Sequence, residues 1–85
     1  MNISFNINSF TKATNKGYCP NIVILLLFLE SKERKMEEIT TFLGMSDRAV
    51  YRYLKTLKIE GFIKPRIESV FTYYTVTDKI DELWT

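Results

Sequence analysis

Eighty-five residues, 46% of them apolar, make a single domain with a packed core and leave no room for a separate catalytic or ligand-sensing domain. With no histidine and one cysteine, Cys19, the composition excludes a zinc finger, an imidazole acid–base site and any intrachain disulfide. The net charge of +2 is unevenly spread: residues 46–66 carry six basic and two acidic side chains, a net of +4, whereas residues 67–85 carry one basic and four acidic, a net of −3. Positive charge gathered in one block is the pattern of a single face that meets phosphate.

Ile3, Phe5 and Ile7 alternate with Asn2, Ser4, Asn6 and Asn8. That period of two reads either as a half-buried strand or as a loose arm occupying residues 1–19. The start has neither basic residues nor an apolar stretch of signal-peptide type, so a location in the cell interior (cytoplasmic), where a lone thiol is ordinary, is expected. Residues 9–18 mix Thr, Asn, Lys and Gly and read as a loop. Pro20 suits the first turn of a helix running to about Lys32, since its missing N–H is not needed there. The run Ile22 to Leu29 is apolar all round, yet far short of the ~18 residues of a membrane span. A helix apolar on every side is normally buried on every side. The expectation is therefore that a second subunit covers one flank, joined by Ile3, Phe5, Ile7, Leu83 and Trp84, with Cys19 placed near its twin.

Lys32 to Lys35 form a charged connector, with a short strand pair around Lys35 and Met36. A brief helix over about Glu37–Leu43 ends at Gly44, and Ser46 caps a longer one over about Asp47–Glu60 that stops at Gly61. Phe62–Ile67 and Val70–Val76 are rich in β-branched and aromatic residues and read as a hairpin turning at Glu68 and Ser69. Pro65 cannot donate to a ladder, so its strand belongs at an edge. Phe71, Tyr73 and Tyr74 at strand spacing read as core and cross-strand pairs. Thr77 precedes a last short helix over residues 78–85.

The order helix, short helix, tight turn, longer helix, hairpin is carried by Ile39, Leu43, Gly44, Ser46, Val50, Leu54, Leu57, Gly61, Phe62 and Ile63. Tyr74 to Thr77 continue it in the returning strand. On these points residues 20–77 resemble the winged-helix (winged helix-turn-helix) transcription regulators, in a small free-standing form similar to those of archaeal viruses and plasmids. The resemblance implies an α+β fold: a three-helix core with a C-terminal β-hairpin wing. It also implies binding to double-stranded DNA as a homodimer that regulates transcription by occupying its operator. Two positions depart from the family pattern. Thr40 stands where alanine is usual, and Phe42 where a polar residue is usual, so Phe42 is either exposed or covered by the N-terminal segment.

Periodicity supports the same reading. Val50, Tyr53, Leu54 and Leu57 fall on one face of the long helix, and Asp47, Arg48, Tyr51, Arg52 and Lys55 on the other. In a helix-turn-helix the second helix enters the major groove. Arg48 and Arg52 are then the base readers, because a guanidinium can donate to guanine O6 and N7 together. Tyr51 meets a thymine methyl or a phosphate, and the amides of the turn capped by Ser46 meet a phosphate. On the wing, Lys64 and Arg66 share one side of the first strand and are placed for phosphate or solubility. No carboxylate pair, Gly-rich phosphate loop or nucleophile–base pair stands out, and the adjacent Glu37 and Glu38 point apart on a helix. No enzymatic activity, metal, cofactor or small-molecule ligand is expected. The competing reading is a winged helix used as a protein-interaction module in a larger assembly.

Overall fold

The computed structural model describes residues 7–84. In chain order it contains α1 (Ile7–Asn15), α2 (Pro20–Ser31), β1 (Arg34–Lys35), α3 (Met36–Leu43), α4 (Asp47–Glu60), β2 (Ile63–Glu68), β3 (Phe71–Val76) and α5 (Asp81–Trp84), the last entered through a 3-10 turn at Asp78–Ile80. The three strands form an antiparallel sheet in the order β1-β3-β2. The architecture is the expected α+β winged helix-turn-helix: α3 and α4 form the helix-turn-helix, and β2–β3 form the wing.

The core is built around α2, whose Val23, Leu25, Leu26, Leu27, Phe28 and Leu29 are all buried. Ala13 of α1, Ile39 of α3, Val50, Leu54 and Leu57 of α4, Phe62, Ile63, Ile80 and Leu83 complete it. The chain supplies the cover for α2 itself. α1, α3 and β3 pack directly on it, and α5 packs on α1. Most of the apolar circumference of α2 is therefore buried within one chain, whereas Ile22 and Ile24 stay only half-buried, so less of the flank expected to meet a second subunit is left open than the sequence suggests. Leu83, expected in a subunit contact, is 2% exposed and belongs to this core.

The element responsible is α1, which replaces the expected loop over residues 9–18. Ser9 and Ala13, four residues apart, give it a buried face of small side chains. Such a face lets two helix backbones approach closely. Asn, Ser and Thr are mediocre helix formers, so packing rather than propensity makes this segment helical. Gly17, with φ 97°, ends it, and the Tyr18 amide donates to the Ala13 carbonyl at 3.3 Å. Lys16 Nζ donates to the carbonyl of Glu82 at 2.5 Å, tying α1 to the end of the chain. Trp84 Nε1 donates to Glu30 Oε2 at 2.8 Å, tying that end to α2. The strand expected over residues 2–8 lies outside the described residues except for Ile7 and Asn8, which are helical.

Local signals place the remaining elements. Glu38 Oε1 accepts from the Lys35 amide at 3.2 Å at the start of α3, and Gly44 ends that helix with φ 64°. Pro65 pairs with Tyr74 on the edge strand β2, where no neighbour needs its missing N–H. The hairpin turns at Ser69 and Val70, one residue later than the sequence suggests, with Ser69 at φ 58°. Phe42 is half-buried and lays one face of its ring on α2, parallel to the ring of Phe28 with centroids 4.0 Å apart. The Arg34 guanidinium sits 4.0 Å from the same Phe28 centroid. Two groups at that distance must occupy opposite faces of the ring, so Phe28 is stacked on both sides. That stack joins α2, α3 and the start of β1; the N-terminal segment expected to cover Phe42 lies outside the described residues up to Ile7.

Candidate nucleic-acid interface

The candidate interface begins at the turn between α3 and α4. Ser46 Oγ accepts from the Ala49 amide at 3.2 Å, which fixes where α4 starts and leaves its first-turn amides at the surface. Val50, Leu54 and Leu57 bury the inner face of α4, while Asp47, Arg48, Tyr51, Arg52 and Lys55 are all exposed. The outer face divides into two flanks. Arg48 and Arg52 follow each other at one-turn spacing and form no ion pair among the described residues. Tyr51 and Lys55 turn instead toward the wing. With Lys58 and Ile59 they line a cleft whose other bank is Pro65, Ile67, Thr72 and Tyr74. Burial and the neighbouring Tyr51 push the Tyr74 hydroxyl above the ordinary tyrosine pKa.

Strand alternation settles the two wing cations. Pro65 and Ile67 face α4 across the cleft, so Lys64 and Arg66 project from the opposite face of the wing. Lys64 is exposed opposite Thr75 and has no ion pair among the described residues. Arg66 is engaged. Its Nε and Nη2 donate to the two carboxylate oxygens of Glu33 at 2.9 and 2.6 Å, and its Nη1 donates to Glu68 at 2.8 Å. Its guanidinium also lies 4.7 Å from the Tyr73 ring centroid. The hydrogen bonds from Arg66 hold the Glu33 carboxyl below the usual glutamate range and push the arginine pKa up. The two-pronged contact with Glu33 fixes the wing to the connector between α2 and β1. Among the site residues expected from sequence, Ser46, Asp47, Arg48, Tyr51, Arg52 and Lys55 thus share one helix, Lys64 stands apart on the wing, and Arg66 is already held by two carboxylates.

Sequence reasoning missed Lys58, Thr72 and Tyr74 as cleft residues, and Glu33 as a partner of the wing. Lys58 was legible, since it lies three residues beyond Lys55. Glu33 was not, because nothing in a charged tetrapeptide says which of its members meets a strand 33 residues later. The wing tip is apolar as well as acidic. Ile67 and Val70 are 76% and 87% exposed beside Glu68, and Phe71 is half-exposed beneath Lys35 Nζ rather than paired in the core.

No protein-family model matches the chain, and no curated protein matches it. Solved structures do. The chain is similar to the solution structure of the homodimeric winged helix-turn-helix DNA-binding domain of a possible ArsR-family transcriptional regulator from Mycobacterium bovis, at 21% identity and a TM-score of 0.71, over 99% of this chain and 83% of that one. It is similar to NolR from Sinorhizobium fredii at 16% identity and a TM-score of 0.73, over 98% of this chain and 89% of that one. It is also similar to the transcriptional regulator HlyU from Vibrio vulnificus at 19% identity and a TM-score of 0.71, over 94% and 92% of the two chains. At these identities the likeness establishes the fold.

Proposed function

We propose that the protein binds double-stranded DNA through α4 and regulates transcription by occupying its operator as a homodimer. The observation that carries this reading is the pair Arg48 and Arg52: exposed, one turn apart, free of carboxylate partners among the described residues, and held on a capped helix directly after the α3–α4 turn. In a helix-turn-helix this flank faces the major groove, where each guanidinium reads a guanine edge. Ser46 and Asp47 open the helix at the backbone, Tyr51 and Lys55 face the strand that passes between helix and wing, and Lys64 meets phosphate from the wing. Arg66 reaches phosphate only by exchanging Glu33 or Glu68. Its part is then to hold the wing. The homodimeric state of the Mycobacterium bovis domain supports a twofold dimer here. The side carrying α1 and α5 offers exposed Ile7 and half-buried Phe10 and Trp84 for it.

The exposed Ile67 and Val70 beside Glu68 favour a second reading, a winged helix that docks on a protein, because an acidic apolar tip is poorly suited to phosphate. Titration of a labelled duplex of random sequence at several salt concentrations separates the two. DNA binding predicts affinity that falls steeply as salt rises. Lys64→Ala is expected to reduce the slope of log affinity against log salt by about one unit. A folded chain with no affinity for duplex at low salt would leave the protein-docking reading in its place.

A further inference from the structure

The cleft between α4 and the wing has a feature that DNA binding does not use. It encloses about 530 Å³, within the size range of small-molecule sites. One wall is Ile59 and the other Pro65 and Ile67, with Leu54 and Tyr74 between them. Ile59 and Ile67 are each 76% exposed. A single exposed isoleucine is ordinary. Two lining one cleft above a buried leucine form a continuous apolar trough, and a phosphodiester has nothing apolar to lay in it. Lys55 and Lys58 stand along the helix side of the same trough, and neither has a carboxylate partner among the described residues. Apolar walls with unpaired ammonium groups on one side are complementary to a molecule that is itself divided in that way.

We infer that this cleft binds a small organic anion with an apolar body. The carboxylate or sulfonate is held by Lys55 and Lys58, and the alkyl chain or fused ring lies on Ile59, Pro65, Ile67 and the ring of Tyr74. The trough follows α4 from Tyr51 to Ile59. Eight residues of helix rise ~12 Å, which suits an alkyl chain of medium length or a pair of fused rings. Each ammonium contributes a charge-assisted hydrogen bond, and the apolar body contributes by leaving water. Because Tyr51 and Lys55 border both this trough and the α4 surface assigned to DNA, an occupant weakens DNA binding.

The test is a fluorescence titration of the full chain with anilinonaphthalene sulfonate, followed by displacement with decanoate, decanol or acetate. Saturable one-site binding is expected, with decanoate displacing the probe about tenfold more effectively than decanol or acetate. Lys58→Gln and Ile67→Ser are each expected to weaken binding about tenfold with an unchanged circular dichroism spectrum. Thr11→Ala, on the exposed side of α1, is expected to leave binding unaltered. Decanoate is expected to raise the melting temperature, which distinguishes a site in the folded chain from the probe's known affinity for loosened states. Absence of saturable binding would overturn the inference. So would displacement by decanol equal to that by decanoate, wild-type affinity in both Lys58→Gln and Ile67→Ser, or a fall in melting temperature. No DNA is present in this assay. A chain that binds decanoate but no duplex loses the DNA reading and keeps this one, and the reverse result does the opposite.

Discussion

Replacing Ala13 with leucine tests whether α1 closes the core over α2. Ala13 is 0% exposed in the helix α1, which packs on both α2 and α5. Leucine adds a branched side chain where no accessible surface remains, so either its rotamer is strained or α1 is pushed outward. Such overpacking costs ~1–3 kcal/mol. In a domain of 60–100 residues each kcal/mol lowers the melting temperature by ~4–8 °C. A cost of about 2 kcal/mol therefore predicts a fall of about 8–16 °C. Thr11→Ala is the companion variant. It changes an exposed residue of the same helix, and is expected to stay within ~0.5 kcal/mol of the parent. Thermal unfolding followed by circular dichroism at low protein concentration gives both values. An unchanged melting temperature for Ala13→Leu would mean that α1 does not pack on α2 and α5 as described, and would leave more of α2 for a second subunit to cover.

Three further outcomes follow from single contacts. Leu54→Ala is expected to cost ~2–5 kcal/mol in urea unfolding, because Leu54 is 2% exposed at the junction of α4 and the wing. Ser46→Ala removes the acceptor for the Ala49 amide and is expected to cost ~0.5–2 kcal/mol. A loss outside that window would mean that the cap is not the start of α4. The Glu33 carboxyl, held low by Arg66, is expected to titrate below 4.5 by NMR and to return to its ordinary range in Arg66→Ala. Its folded pKa is depressed, so its contribution is complete above the unfolded value and is lost as pH falls through the lowered one. Titration of Glu33 at the ordinary value in the parent chain would show that the wing clamp does not form in solution.

The elements with strong local signals were legible in the sequence. Ser46, Gly44 and Gly61 marked the ends of α3 and α4, and the boundaries Asp47–Glu60 follow from them. Val50, Leu54 and Leu57 fixed the inner face of α4 by spacing alone. What was not legible depended on partners distant in sequence. α1 shows only a short apolar stripe, Ile7, Phe10 and Ala13, and its buried Ser9 and Ala13 are small residues that report close packing only when the opposing helix is known. The same gap hid part of the cover of α2, since residues 9–18 were read as a loop. Phe42 was left open between exposed and covered because its partner Phe28 lies in another helix. Alternation correctly placed Lys64 and Arg66 on one side of β2. It did not reveal that the side facing α4 belongs to Pro65 and Ile67, or that Glu33 engages Arg66.

The central claim is that α4 reads bases in duplex DNA through Arg48 and Arg52. Its most direct test is selection of bound sequences from a random duplex library, followed by titration of the parent and Arg52→Ala against the preferred and a scrambled duplex. The account predicts that Arg52→Ala loses ~1–3 kcal/mol on the preferred duplex and relaxes preference at one base position, with little loss on the scrambled one. A homodimer predicts in addition that the preferred sequence is an inverted repeat with half-sites about one helical turn apart. Equal losses on both duplexes would reduce Arg52 to a backbone contact, and a folded parent chain that selects no sequence at low salt would contradict the account.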